Sequence, residues 1–334
     1  MNKFLPNSFD ALFVKKDNLG NYSLSVEKNT ISKIDNNEVI IKVLYSSLNY
    51  KDMLICSGNP GLVRKYPHIP GIDAAGIIVN SKSKKFKKDD KVMIVAQPLG
   101  VRSNGGLAQY IKVQSDWVEK IPKNFSIKNS MIFGTAGFTA SLAVMTLLKN
   151  GLKKSKKPIL ISGATGGVGI IAIYILSKLG FSISAVTTKK KEKFLKKMGA
   201  TEVISYDQLN CFSNLPLLKI KYSAIIDNVG GNIIKFSSKQ LDNNGKILSV
   251  GIASGDSVEI SIMPFILRGI QLIGINSENS IPSLRKKIWK NIAKFSKDKK
   301  LQNIYKECNL KDVPKIIKKI KLNKNVGRYI VKIN

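Results

Sequence analysis

One histidine occurs in 334 residues. His68 stands between two prolines in KYPHIPG, a pattern that marks a loop. A catalytic zinc site draws its three protein ligands largely from His and Cys, and a Ser-His-Asp triad needs a positioned imidazole. The sequence therefore argues against metal chemistry and against imidazole acid–base chemistry. Cysteine is also scarce: Cys56, Cys211 and Cys308 are scattered, with no CxxC pair. That spacing argues against a disulfide framework and points to a reducing compartment, with the cytoplasm as the expected location. The apolar runs read as too short to cross a bilayer. The segment MNKFLPNSFD has no apolar core of signal-peptide type. No membrane partner is expected.

Acidic residues are few. Asp and Glu total 22 against 55 Lys and Arg, a formal charge of +33. Such a charge raises the question of nucleic acid. Only Arg64, Arg102, Arg268, Arg285 and Arg328 are arginine, however, and base readout and phosphate forks favour arginine. The lysines fall in turns and polar helix faces, such as Lys82 to Lys88 and Lys286 to Lys300. They read as solvated surface, with a preference for anionic small ligands, and no nucleic-acid partner is expected.

What is present is a glycine turn at mid-chain. In PILISGATGGVGIIAIYILSKLG, Ile159–Ile161 reads as a buried parallel strand and Ile170 to Leu179 as a helix, with Gly180 at its C-terminal cap. Between them lies Ala164-Thr165-Gly166-Gly167-Val168-Gly169, an A-x-G-x-x-G variant of the dinucleotide fingerprint. Gly166 and Gly167 admit a pyrophosphate close to the backbone, and the helix N-terminus offers free N–H groups to it.

A nucleotide domain needs roughly 150 residues, so two domains are expected. Residues 8 to 125 read mainly as strands: Ala11–Lys15, Glu38–Tyr45, Ala74–Ile78, Lys91–Val95, Gly106–Val113 and Trp117–Lys120. A helical pair broken at Gly137 is expected over Met131–Lys149. After the fingerprint, strands Ser182–Thr187, Glu202–Ile204, Tyr222–Asp227, Lys246–Val250 and Leu272–Ile275 alternate with helices, six strands in all with the first. A helix is expected over Val313–Lys321 and a strand over Tyr329–Ile333, with this tail rejoining the N-terminal domain. The expected division is 1–130 completed by 300–334, and 131–299.

An NAD site commonly carries Asp or Glu at the end of its second strand for the ribose hydroxyl. Here that strand ends Thr187-Thr188-Lys189-Lys190-Lys191, and no acid occurs before Glu192. Hydroxyls followed by lysines suit a 2′-phosphate, so NADPH is the expected cofactor.

These features resemble the medium-chain dehydrogenase/reductase superfamily. Gly71-Ile72-Asp73-Ala74-Ala75-Gly76 is similar to the segment that carries a zinc-ligating His, with Ile72 in the His place. Asn49-Tyr50-Lys51-Asp52 is similar to a Cys-x-Thr-Asp segment, with Asn49 in the Cys place. Ser46 to Asp52, Pro67 to Asp73, Gly105 to Gln109, Gly134 to Ala140, Met263 to Arg268 and Gly327 to Lys332 resemble, within it, the zinc-free acrylyl-CoA reductase group. The resemblance implies a GroES-like β domain plus a Rossmann domain with a six-stranded parallel sheet, a homodimer, and NADPH-dependent reduction of acryloyl-CoA to propanoyl-CoA. It implies a cofactor lining of Tyr50, Thr165, Gly166, Gly167, Val168, Thr187, Thr188, Lys189, Tyr206, Ile252, Ile266, Ser277 and Arg328. Relatives often carry Gly-Arg where this chain has Thr188-Lys189, which keeps the charge but loses the planar fork.

The chemistry expected is hydride transfer to the β-carbon of an enoyl thioester and protonation at the α-carbon. Tyr50, Asn49 and Asp52 are the candidate catalytic residues, and Arg64 is a candidate for contacting the CoA thioester. A helix turn capped by Asn49 and Asp52 is the structural reading of the same segment. Two alternatives stay open: a quinone or other enone reductase, and a basic nucleic-acid-binding protein with a vestigial nucleotide fold.

Overall fold

The computed structural model describes residues 6–209 and 214–333. Cys211 lies outside the described residues. The chain divides into two compact units, Met1–Thr135 with Trp289–Asn334, and Ala136–Ile288.

The first unit is built from β1 (Phe9–Lys16), β2 (Tyr22–Asn29), β3 (Glu38–Leu48), α1 (Tyr50–Cys56), β4 (Ala74–Ser81), β5 (Lys91–Ile94), β6 (Tyr110–Gln114) and β7 (Glu119–Lys120). Helix α2 (Ile127–Lys149) leads out of it. β1 and β2 form an antiparallel hairpin. Ala11, Leu12 and Val14 of β1 are buried in the core with Ile41, Val43, Ile78, Val92 and Ile94.

The second unit contains β8 (Ile159–Ile161), α3 (Gly167–Lys178), β9 (Ile183–Val186), α4 (Glu192–Met198), β10 (Glu202–Ile204), α5 (Tyr206–Leu209), β11 (Tyr222–Asp227), α6 (Asn232–Ser238), β12 (Leu241–Ser249), α7 (Met263–Arg268) and β13 (Gln271–Gly274). Its six strands run parallel in the order β10-β9-β8-β11-β12-β13. This is a doubly wound nucleotide fold, and the order reverses between β8 and β11. Parallel strands are covered on both faces, which is why Ile159, Leu160 and Ile161 are all buried. Helix α3 is buried from Gly169 to Leu176 and contributes to this core.

Helix α8 (Pro282–Ala293) returns the chain to the first unit, where β14 (Tyr305–Asn309), α9 (Val313–Lys321) and β15 (Arg328–Lys332) complete it. Val313, Ile316, Ile317 and Ile320 form one buried stripe of α9 at helical spacing, with lysines on the opposite face. β15 pairs antiparallel with β3, setting Tyr329 opposite Leu48. The resulting sheet runs β14-β15-β3-β4-β5-β7, with β6 also on β3.

Several local expectations need correction. β2 is a full strand that the sequence reading passed over, although Tyr22, Leu24 and Val26 alternate with Ser23, Ser25 and Glu27 and pack against the core. The strand expected over Gly106–Val113 begins only at Tyr110. The break in α2 lies at Gly134, not Gly137, with φ 49° and ψ −155°. A Cβ at Gly134 would collide with Asp73, Arg328 and Ser47, so the chain turns there to let side chains from distant strands approach. By length and composition α2 is also apolar enough to span a membrane, contrary to the reading of short apolar runs. Its apolar stretch is 78% buried inside the protein, as expected of a core helix.

Candidate active site

β8 ends at Ile161, and the chain turns through Ser162–Gly166 into α3. Gly163 sits at φ 55°. A Cβ on Gly169 would lie 2.5 Å from the Gly163 carbonyl oxygen, so only glycine allows the first turn of α3 to pack on the strand end. Gly166 is the N-cap, and no side chain bonds the first N–H groups. Those open donors and the positive dipole end make a cradle for an anion.

Around this cradle the strand ends carry polar groups. Asp227, at the end of β11, is fully buried. It accepts hydrogen bonds from Ser162 Oγ at 2.5 Å, Val229 N at 3.0 Å and Gly230 N at 2.9 Å. Burial pushes its carboxyl up, against the pull of these donors. Asn228 donates Nδ2 to the Ser162 carbonyl at 2.8 Å. Its buried Oδ1 has no partner among the described residues. It lies at the switch between β8 and β11, where such sheets take their ligands.

At the end of β9, Thr187 Oγ1 lies 3.5 Å from Thr165 Oγ1 and accepts the Lys189 N–H at 3.1 Å. Thr188 is exposed. Lys189 is partly buried, and desolvation pulls its ammonium pKa down. Thr165, Gly166, Gly167, Val168, Thr187, Thr188 and Lys189 are thereby brought together at neighbouring ends of β8 and β9. A glycine cradle, an orphaned buried acceptor and an acid-free hydroxyl–lysine corner fit a phosphorylated dinucleotide. In the same unit Ile252 and Ile266 are exposed, at 58% and 70%. Ser277 is half-buried after β13, and Tyr206 packs edge-on against Phe236 at 6.2 Å.

The first unit holds a second polar constellation, centred on Asp73 and Arg328, both buried. Asp73 accepts from Ser47 Oγ at 2.5 Å, Asn49 Nδ2 at 2.8 Å, Thr135 Oγ1 at 2.6 Å and Thr135 N at 3.0 Å. Arg328 donates to Leu48 O at 3.1 Å, Asn49 Oδ1 at 2.8 Å, Ser47 Oγ at 2.7 Å and Ile132 O at 3.3 Å. Its guanidinium lies 3.5 Å from the Asp73 carboxylate. Desolvation pulls the Arg328 pKa down, and Asp73 opposes that pull. The network joins β3, β15 and the start of α2 to Asn49, the N-cap of α1.

An alcohol dehydrogenase GroES-like domain model matches residues 35–123, and a zinc-binding dehydrogenase model matches residues 167–295. The putative quinone oxidoreductase YhfP of Bacillus subtilis is 37% identical over 97% of this chain and 99% of its own length. The chain belongs to the medium-chain dehydrogenase/reductase superfamily. Within it, this chain falls in the branch of acrylyl-CoA reductases and related quinone oxidoreductases. The YhfP crystal structure with NAD bound aligns with a TM-score of 0.92, over 98% of this chain and all of that one. The acrylyl-CoA reductase AcuI of Ruegeria pomeroyi is 36% identical over 98% of this chain and 99% of its own. The yhdH oxidoreductase of Salmonella enterica, crystallised in complex with NADP, is 34% identical, with a TM-score of 0.92 over 97% of this chain and all of that one.

In this medium-chain oxidoreductase, no group of three or more His, Cys, Asp and Glu residues among those described could hold a metal. Ile72 instead packs with Ile55 and Val63 in a small apolar cluster. His68 is buried, with Nε2 2.8 Å from the Gly100 carbonyl oxygen, and desolvation pulls its pKa down. The Asn49 amide has both ends engaged inward, with Asp73, Ser47 and Arg328. Asp52 is fully buried and accepts the backbone N–H of Asn49 at 2.7 Å and of Ile72 at 2.9 Å. Tyr50, the first residue of α1, is 44% exposed, and no hydrogen bond holds its hydroxyl among the described residues. The roles of Ser47, Thr135, Ser162 and Asn228 escaped the sequence reading. Small hydroxyl and amide residues carry no periodic signal, although Ser162 and Asn228 do follow strands whose ends such folds use.

Asp52 has a pH signature. Desolvation dominates over its two N–H donors and raises its pKa from 3.8 to about 7. Between those values the unfolded chain has released a proton that the folded chain retains. Stability from this group is therefore present at low pH and falls as pH rises from about 4 to about 7. Urea midpoints across that range should fall more steeply for the unmodified protein than for Asp52→Asn. Parallel slopes would show that the two N–H donors keep Asp52 ionised.

Proposed function

We propose that this oxidoreductase reduces the C=C bond of acryloyl-CoA to propanoyl-CoA with NADPH. The observation that carries the cofactor choice is the acid-free corner Thr187-Thr188-Lys189 beside the glycine cradle. The near full-length similarity to AcuI supports the substrate.

The nicotinamide supplies a hydride for the β-carbon when bound. The chain's own residues bind, orient and protonate. The α3 N-terminus and Gly166–Gly167 take the pyrophosphate, and Thr187, Thr188 and Lys189 take the 2′-phosphate. Ile252, Ile266, Ser277 and Tyr206 line the remainder. Hydride addition leaves negative charge on the thioester oxygen, and one proton must reach the α-carbon for the reaction to balance. Tyr50 is assigned to deliver that proton or to orient the water that does. Asn49 and Asp52 are positioning residues, because their polar atoms are committed to Asp73, Arg328 and the cap of α1. Arg328 acts in the same way, through Asn49.

Thr188→Asp should lower the ratio of kcat/KM for NADPH over NADH by about tenfold or more, through repulsion of the 2′-phosphate. An unchanged ratio would move the 2′-phosphate away from this corner.

The relationship to YhfP supports a second reading, reduction of a quinone or another enone with the same hydride geometry. NADPH oxidation measured with acryloyl-CoA, crotonoyl-CoA and a quinone separates the two. Turnover with the quinone alone would overturn the thioester reading. A homodimer is part of the same proposal. Ile262 and Leu267 around α7 and Leu272 on edge strand β13 are exposed apolar residues of the kind an association surface buries. Light scattering tests it.

A further inference from the structure

The first unit carries a separate open cleft of about 520 Å³, lined by Lys16, Tyr22, Pro60, Gly61, Val63, Arg64 and Tyr66. Lys16 ends β1, Tyr22 begins β2, and Pro60 to Tyr66 follow the C-terminus of α1. We infer that this cleft binds the 3′-phosphorylated adenosine nucleotide of a CoA thioester; the inference rests on the enoyl-CoA reading above.

Charge comes first. The carboxylates of the β1–β2 hairpin are already engaged: Glu27 by Lys15 at 2.6 Å, Asp10 by Lys28 at 2.9 Å, and Asp17 by its own turn through Leu19 and Asn21. Lys16 and Arg64 are exposed, and neither has a carboxylate partner among the described residues. Two cations lining one cleft form an anion site. The planar guanidinium of Arg64 suits a phosphate monoester, and Lys16 supplies a point charge.

The walls add selectivity for a nucleotide over a bare anion. Tyr22 and Tyr66 meet edge-to-face with centroids 5.1 Å apart, and the Lys16 ammonium lies 6.0 Å from the Tyr22 ring. Aromatic walls beside a cation are what a purine stacks on. The Tyr66 hydroxyl is buried and has no hydrogen-bond partner among the described residues. A buried hydroxyl left unpaired is costly. Val63 gives the cleft an apolar lining residue that is 5% exposed.

Position completes the argument. α1 has seven residues, and its N-cap is Asn49. A helix of that size rises roughly 10 Å, so the cleft lies one short helix away from Tyr50. In a CoA thioester the pantetheine arm imposes a separation of this kind between nucleotide and thioester. The cleft would hold the nucleotide while the acyl end reaches toward the N-terminus of α1.

The test uses the full chain saturated with NADP, so that its cofactor corner is filled. Adenosine 3′,5′-bisphosphate titrated by calorimetry should bind, and Lys16→Glu/Arg64→Glu should weaken it by about tenfold or more. Binding that the double variant leaves unaltered, or no binding at all, would overturn the proposal. In turnover, the unmodified enzyme should prefer acryloyl-CoA to acryloyl-pantetheine, and the double variant should lose that preference through KM. If acryloyl-CoA is reduced but the variant keeps the preference, the cleft fails and the reductase reading stands. If acryloyl-CoA is not reduced while bisphosphate binding depends on Lys16 and Arg64, the reductase reading fails and the nucleotide cleft stands.

Discussion

Arg328→Met should lower the unfolding free energy by about 3–5 kcal/mol, because it removes one partner from a buried charge pair. Arg328 is 2% exposed and Asp73 is fully buried. Methionine fills much of the volume but leaves Asp73 without its cation, and it takes from the Leu48 and Ile132 carbonyls and Asn49 Oδ1 the donor that Arg328 supplies. Arg328→Lys should recover little, since one ammonium cannot reach acceptors that a guanidinium spans as a fork. The double variant Asp73→Asn/Arg328→Met should lose less than the sum of the singles, because the orphaned charge is gone. Urea denaturation measures all three. A single-variant loss no larger than that of a surface substitution would mean that water enters and solvates Asp73. Because the network holds the N-cap of α1, the same variant should also lower kcat by displacing Tyr50.

Tyr50→Phe should lower kcat about 10²-fold or more while leaving thermal stability nearly intact. Stability should hold because the ring is 44% exposed and no part of the fold depends on its hydroxyl. Phenylalanine keeps the ring and removes only the proton-bearing oxygen. Measuring kcat together with the NADPH Kd separates the roles. A fall in kcat with unchanged Kd assigns the hydroxyl to protonation. Unchanged kcat with weaker NADPH binding would assign Tyr50 to the cofactor alone, and the proton would have another donor.

Much of the second unit was legible in the amino-acid sequence. Glu202–Ile204 and Tyr222–Asp227 run as their local pattern predicts. The reason is physical: each of these parallel strands is short and bounded by turn residues, so short-range pattern and long-range packing agree. The glycine turn was equally plain, because close approach of α3 to β8 admits no Cβ at Gly169. The absence of an acid after β9 is likewise a statement about sequence alone.

Other features depended on residues far apart in the chain. The kink at Gly134 could not be read locally, since the groups that forbid a side chain there come from Ser47, Asp73 and Arg328. Asn49 and Asp52 looked like catalytic groups beside Tyr50. Their hydrogen bonds to Asp73, Arg328 and the backbone of Ile72 turn them inward. The cleft of Lys16, Arg64 and the two tyrosines exists only because a hairpin and the segment after α1 fold against each other. Sequence alone determined the class of fold and the nucleotide turn, because each of these lies in local pattern. Tertiary structure alone decided which polar side chains hold the fold and which remain free for chemistry, because a hydrogen bond is settled by the partner that arrives, and these partners arrive from elsewhere in the chain.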